Sequence, residues 1–230
     1  MRANRPASAH LVLCALAITL GSGCGHNKTE DFPLSVGFQP LEPLNASALP
    51  PAPSGIDLHP QGLGTIVAAP GAGHYASHAQ GYLHAPLARV YQALHDPASS
   101  LIHNVSGGTR LDSPPVMDVE QSFPISFRVR YSNATIIGDV KFDLTYRAGP
   151  LQGTDLAPVM VGERYQKTWG TPHIRVTSGS LVATAVAGVP DVTLVEMIAW
   201  LDADTQGQAD CDGTLRDLFG DLAATVAALP

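Results

Sequence analysis

The sequence predicts an α+β fold in which a curved antiparallel sheet wraps a long C-terminal helix, with two short helices after the first strand. Three observations carry this reading. Gly81-Tyr-Leu-His-Ala-Pro-Leu-Ala-Arg-Val-Tyr-Gln-Ala-Leu-His-Asp-Pro97 joins an apolar strand to a proline-started helix. Residues from about Asp210 to Leu229 carry one apolar stripe at helical spacing, and the residues between these two segments read almost entirely as strands. A long terminal helix with no other helix of comparable length beside it must bury its stripe in the sheet. A sheet curved around one helix leaves room for a cavity between the two.

The first strand runs near Ala79 to His84. Pro86 then takes the first helical position, where its missing N–H costs nothing, and Leu87, Val90, Tyr91 and Leu94 follow at helical spacing. Asp96-Pro97 ends that helix and starts a second short one through Ile102. The next two strands alternate strictly. Phe123, Ile125, Phe127, Val129 and Tyr131 share one face against Ser122, Ser126, Arg128 and Arg130. Ile136, Val140, Phe142, Leu144 and Tyr146 share a face against Asp139, Lys141, Asp143 and Thr145. With Ser132 to Thr135 as the loop, Phe127 would lie opposite Val140, Ile125 opposite Phe142, and Arg128 opposite Asp139. Further strands are expected at Glu163 to Trp169, His173 to Ser178, Leu181 to Val186 and Val192 to Leu201, with Val189-Pro190-Asp191 as the last hairpin turn. The closing helix presents Leu215, Leu218, Phe219, Leu222, Val226 and Leu229 on one stripe, and Asp210 and Asp212 lie at its start, where the helix dipole favours them.

This order, headed by Tyr82-Leu-His-Ala-Pro-Leu-Ala-Arg-Val-Tyr-Gln-Ala-Leu-His-Asp96, resembles the START-like or SRPBCC superfamily and its helix-grip fold. Arg164-Tyr-Gln-Lys-Thr-Trp-Gly170, Asp191-Val-Thr-Leu-Val-Glu-Met197 with Leu201-Asp-Ala203, and Leu215-Arg-Asp-Leu-Phe219 extend the similarity over about Ala79 to Pro230. The resemblance implies binding of lipids, sterols, polyketides or other apolar ligands, and in some members cyclase or hydrolase activity. It carries no shared catalytic motif.

The N-terminal region is of a different kind. Arg2 and Arg5 precede an apolar run from Leu11 to Leu20, followed by Gly21-Ser22-Gly23-Cys24. That is the pattern of a secretory signal, and the run is shorter than the roughly 18 residues of a spanning helix. A cysteine after small residues resembles the lipobox of bacterial lipoproteins, although the usual leucine three residues before it is Gly21, with Leu20 one place early. Residues 1–23 are therefore expected to be a lipoprotein signal peptide and Cys24 an acylated anchor; an ordinary signal peptide with an incidental cysteine is the alternative. Gly25 after the cysteine, where an aspartate would retain the protein at the inner membrane, implies the outer membrane. Residues 24–63 carry prolines at 33, 40, 43, 50, 51, 53 and 60 and read as a stiff tether, leaving 64–230 as the folded domain. Losing Arg2 and Arg5 with the signal moves the formal charge from −7 to −9, which argues against nucleic acid as a partner. Asn45-Ala-Ser47 and Asn104-Val-Ser106 match a glycosylation pattern that a bacterial lipid signal makes irrelevant.

A search for chemistry returns little. The chain has no Gly-x-Ser-x-Gly elbow, no phosphate-cradling loop, no His-Glu-x-x-His and no Cys-x-x-Cys, so no cofactor is implied. His74, His78 and His84 form the one histidine cluster with suggestive spacing, but Gly71 and Gly73 argue against the helix that would converge them on a metal. Cys211 stands between two aspartates that raise its thiol pKa, the setting of an inert cysteine. Glu196 has two readings: a buried acid in an apolar strand, or an outward charge paired with a lysine or arginine. The second is favoured because Val195, Met197, Ala199 and Leu201 form the more continuous apolar face.

The expected ligand-binding residues are Phe123, Phe127, Tyr131, Val140, Phe142, Tyr146, Trp169 and Met197 on the sheet and Leu215 and Phe219 on the helix. Three functions fit: an apolar-ligand carrier without chemistry, an enzyme of the same fold using Glu196 or a histidine as proton donor, and a cavity-poor interaction scaffold.

Overall fold

A computed structural model describes residues 62–68, 75–100, 110–135, 138–204 and 207–230. The expected signal peptide, Cys24, nearly all of the tether, His74 and Ile136 lie outside the described residues. Among the described residues ten strands form a single antiparallel sheet. They are β1 (Gly62–Leu63), β2 (Val67–Ala68), β3 (Tyr75–Leu83), β4 (Arg110–Leu111), β5 (Val116–Met117), β6 (Ile125–Thr135), β7 (Gly138–Thr154), β8 (Ala157–Gly170), β9 (Ile174–Val186) and β10 (Val189–Ala203). Helix α1 (Leu87–Ala93) and a 3-10 turn (Pro97–Ser100) follow β3, and helix α2 (Gln208–Ala228) closes the chain. The strand order β1-β3-β10-β9-β8-β7-β6-β4 places the first long strand beside the last, with β2 also on β3 and β5 on β6. The architecture is the helix grip.

The sheet curves because its longest strands are bulged. Between β7 and β8 the pairing slips at three places, leaving Leu151, Val159 and Thr168 as extra residues. Each such insertion bends its strand and tightens the local twist. Helix α1 is entered from Pro86, which caps it from an extended conformation one residue before the helix proper. Leu87, Val90, Tyr91 and Leu94 are all buried, as their spacing predicts. Helix α2 starts at Gln208, where Asp210 Oδ2 accepts a hydrogen bond from the Gly207 N–H at 2.9 Å. Its far end is held by Arg89, whose Nε donates to the carbonyl of Val226 at 3.0 Å and Nη2 to that of Leu229 at 2.5 Å. A cation on carbonyls that have no partner inside the helix satisfies both their hydrogen bonding and the dipole.

α2 packs on β3, on β10 and on the 3-10 turn. Small residues make this possible: a Cβ on Gly81 would lie 2.6 Å from Phe219 Cε2, so the ring sits directly on the β3 backbone. Leu215, Leu218, Phe219, Leu222 and Val226 are buried. Leu229 is partly buried against the same core.

Several expected elements differ in extent. The two strands expected at 173–178 and 181–186 are the single strand β9, because Ser178-Gly179-Ser180 continues the pairing with β8 and β10 and does not turn. The last hairpin turns at Ala187-Gly188, where Gly188 takes φ +78°, and Val189 already pairs with Val186; Pro190 to Val192 form an irregularity in the ladder. The β6–β7 hairpin exists, but its register is displaced by six residues from the expected one. Phe127 faces Tyr146, Tyr131 faces Phe142, and Arg130 faces Asp143. β6 runs through Thr135 and absorbs Ser132 to Thr135, the segment whose polar residues suggested a loop. The displacement is an even number of residues, so every side chain keeps the face its alternation assigns.

Candidate functional site

The concave face of the sheet is built in rows set by the strand register. One row reads Ser77, Ala199, Gly179, Tyr165, Tyr146, Phe127 across β3, β10, β9, β8, β7 and β6. The adjacent row reads Ala79, Met197, Leu181, Glu163, Ala148, Ile125. Small residues on β3, β10 and β9 admit the helix, whereas β6 to β8 carry large rings. Phe127 stacks on Tyr146 with centroids 4.7 Å apart, Tyr131 on Phe142 at 5.3 Å, and Tyr146 leans on Tyr165 at 5.5 Å.

Eight of the ten expected ligand residues meet here: Phe127, Tyr131, Val140, Phe142, Tyr146, Met197, Leu215 and Phe219 belong to one buried cluster. Two do not. Trp169 is 38% exposed on the convex face, where the Arg130 guanidinium lies 4.6 Å from its ring centre. The extra residue Thr168 is the cause: Lys167 pairs with Leu144, but Trp169 pairs with Asp143, so the alternation changes phase between them. Phe123 lies before β6 begins, in a turn closed by its own N–H to the Glu120 carbonyl at 3.1 Å. Its ring is half-buried beneath Arg147, 5.5 Å away.

Glu163, Tyr165, Lys167 and Ser100 are site residues that the sequence reading missed. The signal was present: Val161, Glu163, Tyr165 and Lys167 alternate with period two, which places an acid and a lysine in phase with an apolar face. Glu163 is buried, and Ser100 Oγ donates to its two carboxyl oxygens at 3.0 and 2.9 Å. Burial raises its pKa from 4.5 to about 7, against the opposing pull of the Ser100 hydrogen bond. Lys167 donates to the carbonyls of Thr171, at 2.9 Å, and Ile174, and burial lowers its pKa to about 8. Burial also pushes the Tyr146 and Tyr165 phenols well above 10, with Tyr131 and Glu163 as neighbouring groups that act in the same direction. Tyr165 lies flat over Gly179, where a Cβ would come within 2.4 Å of its hydroxyl oxygen. Among the described residues no hydrogen-bond partner meets Tyr165 Oη, whereas Tyr146 has Tyr131 as a hydrogen-bonding neighbour.

Glu196 lies on the outward face of β10, as its alternation suggested, but its partner is a histidine and neither a lysine nor an arginine. His78 Nε2 stands 2.8 Å from Glu196 Oε1 and holds that carboxyl below its ordinary pKa. His84 is exposed and apart from this pair, and the described residues contain no group of three His, Cys, Asp or Glu placed to hold a metal. Cys211 is buried, bonds through Sγ to the Ala199 carbonyl at 3.3 Å, and has its pKa pushed up to about 12 by burial.

No protein-family model matches the chain, and no curated protein matches it in sequence. Solved structures similar to it include a START superfamily protein from Mycobacterium smegmatis, at 14% identity and TM-score 0.44, covering 69% of this chain and 100% of that one. Another is the Zhui aromatase/cyclase from a Streptomyces species, at 13% identity and TM-score 0.38, covering 67% and 92%. A third is the lipid transfer and protein localization domain of a human protein, at 9% identity and TM-score 0.41, covering 70% and 81%.

Proposed function

We propose that this protein binds and carries an apolar ligand between the aromatic wall of β6 to β8 and helix α2, without chemistry, while tethered to the bacterial envelope through Cys24. The observation that supports this most is the composition of the concave face. Phe127, Tyr131, Phe142, Tyr146 and Tyr165 line one half of it, while α2 packs on β3 and β10 in the other. Aromatic walls with a few polar groups characterise sites for lipid-like molecules. Native mass spectrometry of the purified protein tests it: a co-purifying apolar mass is expected, and its loss in Val140→Phe would place it on this wall. A protein that carries no such mass and binds none added to it would leave the scaffold reading.

The anchor has its own test. Cys24→Ser should move the protein from the membrane fraction to the soluble periplasm without altering the fold. Membrane retention of that variant would overturn the lipid anchor.

A second reading, an enzyme of the same fold, is supported by Glu163. A buried carboxyl whose pKa lies near 7 can give or take a proton at neutral pH, which makes it a better acid or base than Glu196 on the outer face. Turnover of the co-purified molecule, abolished in Glu163→Gln, would favour this reading over the carrier.

A further inference from the structure

Polar groups inside an apolar chamber carry information about what enters it. Tyr165 is 2% exposed, and its hydroxyl lies in the interior without a hydrogen-bond partner among the described residues. An unsatisfied buried hydroxyl is costly, and a native interior keeps few of them. Glu163 stands one row along the same face of β8 from Tyr165, next to Ala148, with Ser100 donating to both of its oxygens. A carboxyl oxygen has lone pairs beyond those that one serine can fill.

We infer that Glu163 and the hydroxyl of Tyr165 bind the polar end of the ligand, and that this end is a neutral hydroxyl, not a carboxylate. The inference rests on the apolar-ligand reading above and adds the head-group chemistry to it. An alcohol matches the pair in both directions: its oxygen accepts from the Tyr165 hydroxyl and its proton is donated to Glu163. A carboxylate matches poorly. It would bring a second acidic group beside Glu163 in a water-poor interior, where like charges are strongly disfavoured. The lysine on this face, Lys167, lies on the far side of Tyr165 from Glu163, with two of its three donors on the Thr171 and Ile174 carbonyls. An alkane would leave the Tyr165 hydroxyl unpaired. The arrangement therefore selects long-chain or polycyclic alcohols over fatty acids and hydrocarbons.

The test uses three probes of one chain length, 1-decanol, decanoate and n-decane, each displacing the neutral fluorophore N-phenyl-1-naphthylamine from the full chain at neutral pH. Decanol should displace it at a concentration at least about tenfold below the other two. In Tyr165→Phe and Glu163→Gln that preference should shrink to about threefold or less, with decane unchanged. Tyr165→Phe should also keep or raise the melting temperature, because it deletes an unpaired buried hydroxyl. Equal displacement by all three probes, a preference for decanoate, or a decanol preference that survives both variants would overturn the head-group assignment and leave apolar binding standing. A clear drop in the Tyr165→Phe melting temperature would do so too, by showing that the hydroxyl serves the fold or a buried water. Failure of every probe, and of the fluorophore itself, to bind would overturn the carrier reading and this inference with it.

Discussion

The two faces of the β6–β8 sheet differ in how their charged groups are paired. On the convex face three arginines meet carboxylates, although Arg164 lies opposite Arg147 in the β7–β8 ladder: Arg130 bonds Asp143 through two nitrogens at 2.6 and 2.8 Å, Arg128 approaches the same carboxylate at 3.7 Å, and Arg147 grips Glu120 at 2.8 and 2.6 Å. Trp169 adds a ring beneath Arg130. On the concave face the Tyr165 hydroxyl is unmatched and Glu163 has a serine where a cation would fully ionise it. Pairing that completes itself within the protein stabilises the protein. Pairing left incomplete in a closed interior points to something the protein receives.

The largest expected effect tests the helix that covers the concave face. Phe219 rests on Gly81, and Phe219→Ala should cost about 3–5 kcal/mol, read from the urea midpoint, with or without ligand. A loss below about 1 kcal/mol would mean that the ring packs no tighter than a surface residue.

Next comes the pH dependence of Glu163. Its folded pKa is raised above the unfolded value, so the native state binds the extra proton between about 4.5 and about 7. Stability from this group is therefore complete at and below the unfolded pKa and declines as pH rises through that window, by roughly 3 kcal/mol in total. Glu163→Gln should remove the decline, making the variant more stable than the wild type at pH values above the window. Parallel pH profiles of the two proteins in chemical denaturation would show that Glu163 is solvated and that the two faces do not differ.

A smaller effect separates filled core from chamber. Phe127→Trp and Val140→Phe add volume that a packed interior resists by about 1–3 kcal/mol, whereas an open one accepts it. The expected result is an unchanged or higher melting temperature with weakened binding of an apolar probe. Unfolding of both variants would mark the space as solid core.

The smallest effect belongs to the convex side. Trp169→Ala removes a half-exposed cation–π contact and should cost under about 1 kcal/mol, leaving ligand binding untouched. Impaired binding would show that the two faces communicate.

Alternation along a strand and spacing along a helix are local properties, and they were enough to read the order of elements, the buried stripe of α2 and the inward faces of β6 and β7 from the sequence. They also placed eight of the ten expected residues in the one buried cluster, since Phe127, Tyr131 and Tyr146 follow a phase that an even register change preserves. What they did not contain was any relation between strands. The hairpin register depends on where aromatic rings stack across the pair, and Phe127 chose Tyr146, not Val140. The face of Trp169 depends on one inserted residue, Thr168, that bends the sheet and reverses the phase beyond it. Glu163 became a site residue only because Ser100, far earlier in the chain, covers it and burial changes its ionisation. Period and spacing are written in neighbouring residues, whereas register, bulges and the burial of a charge are decided by segments that meet only when the chain has folded.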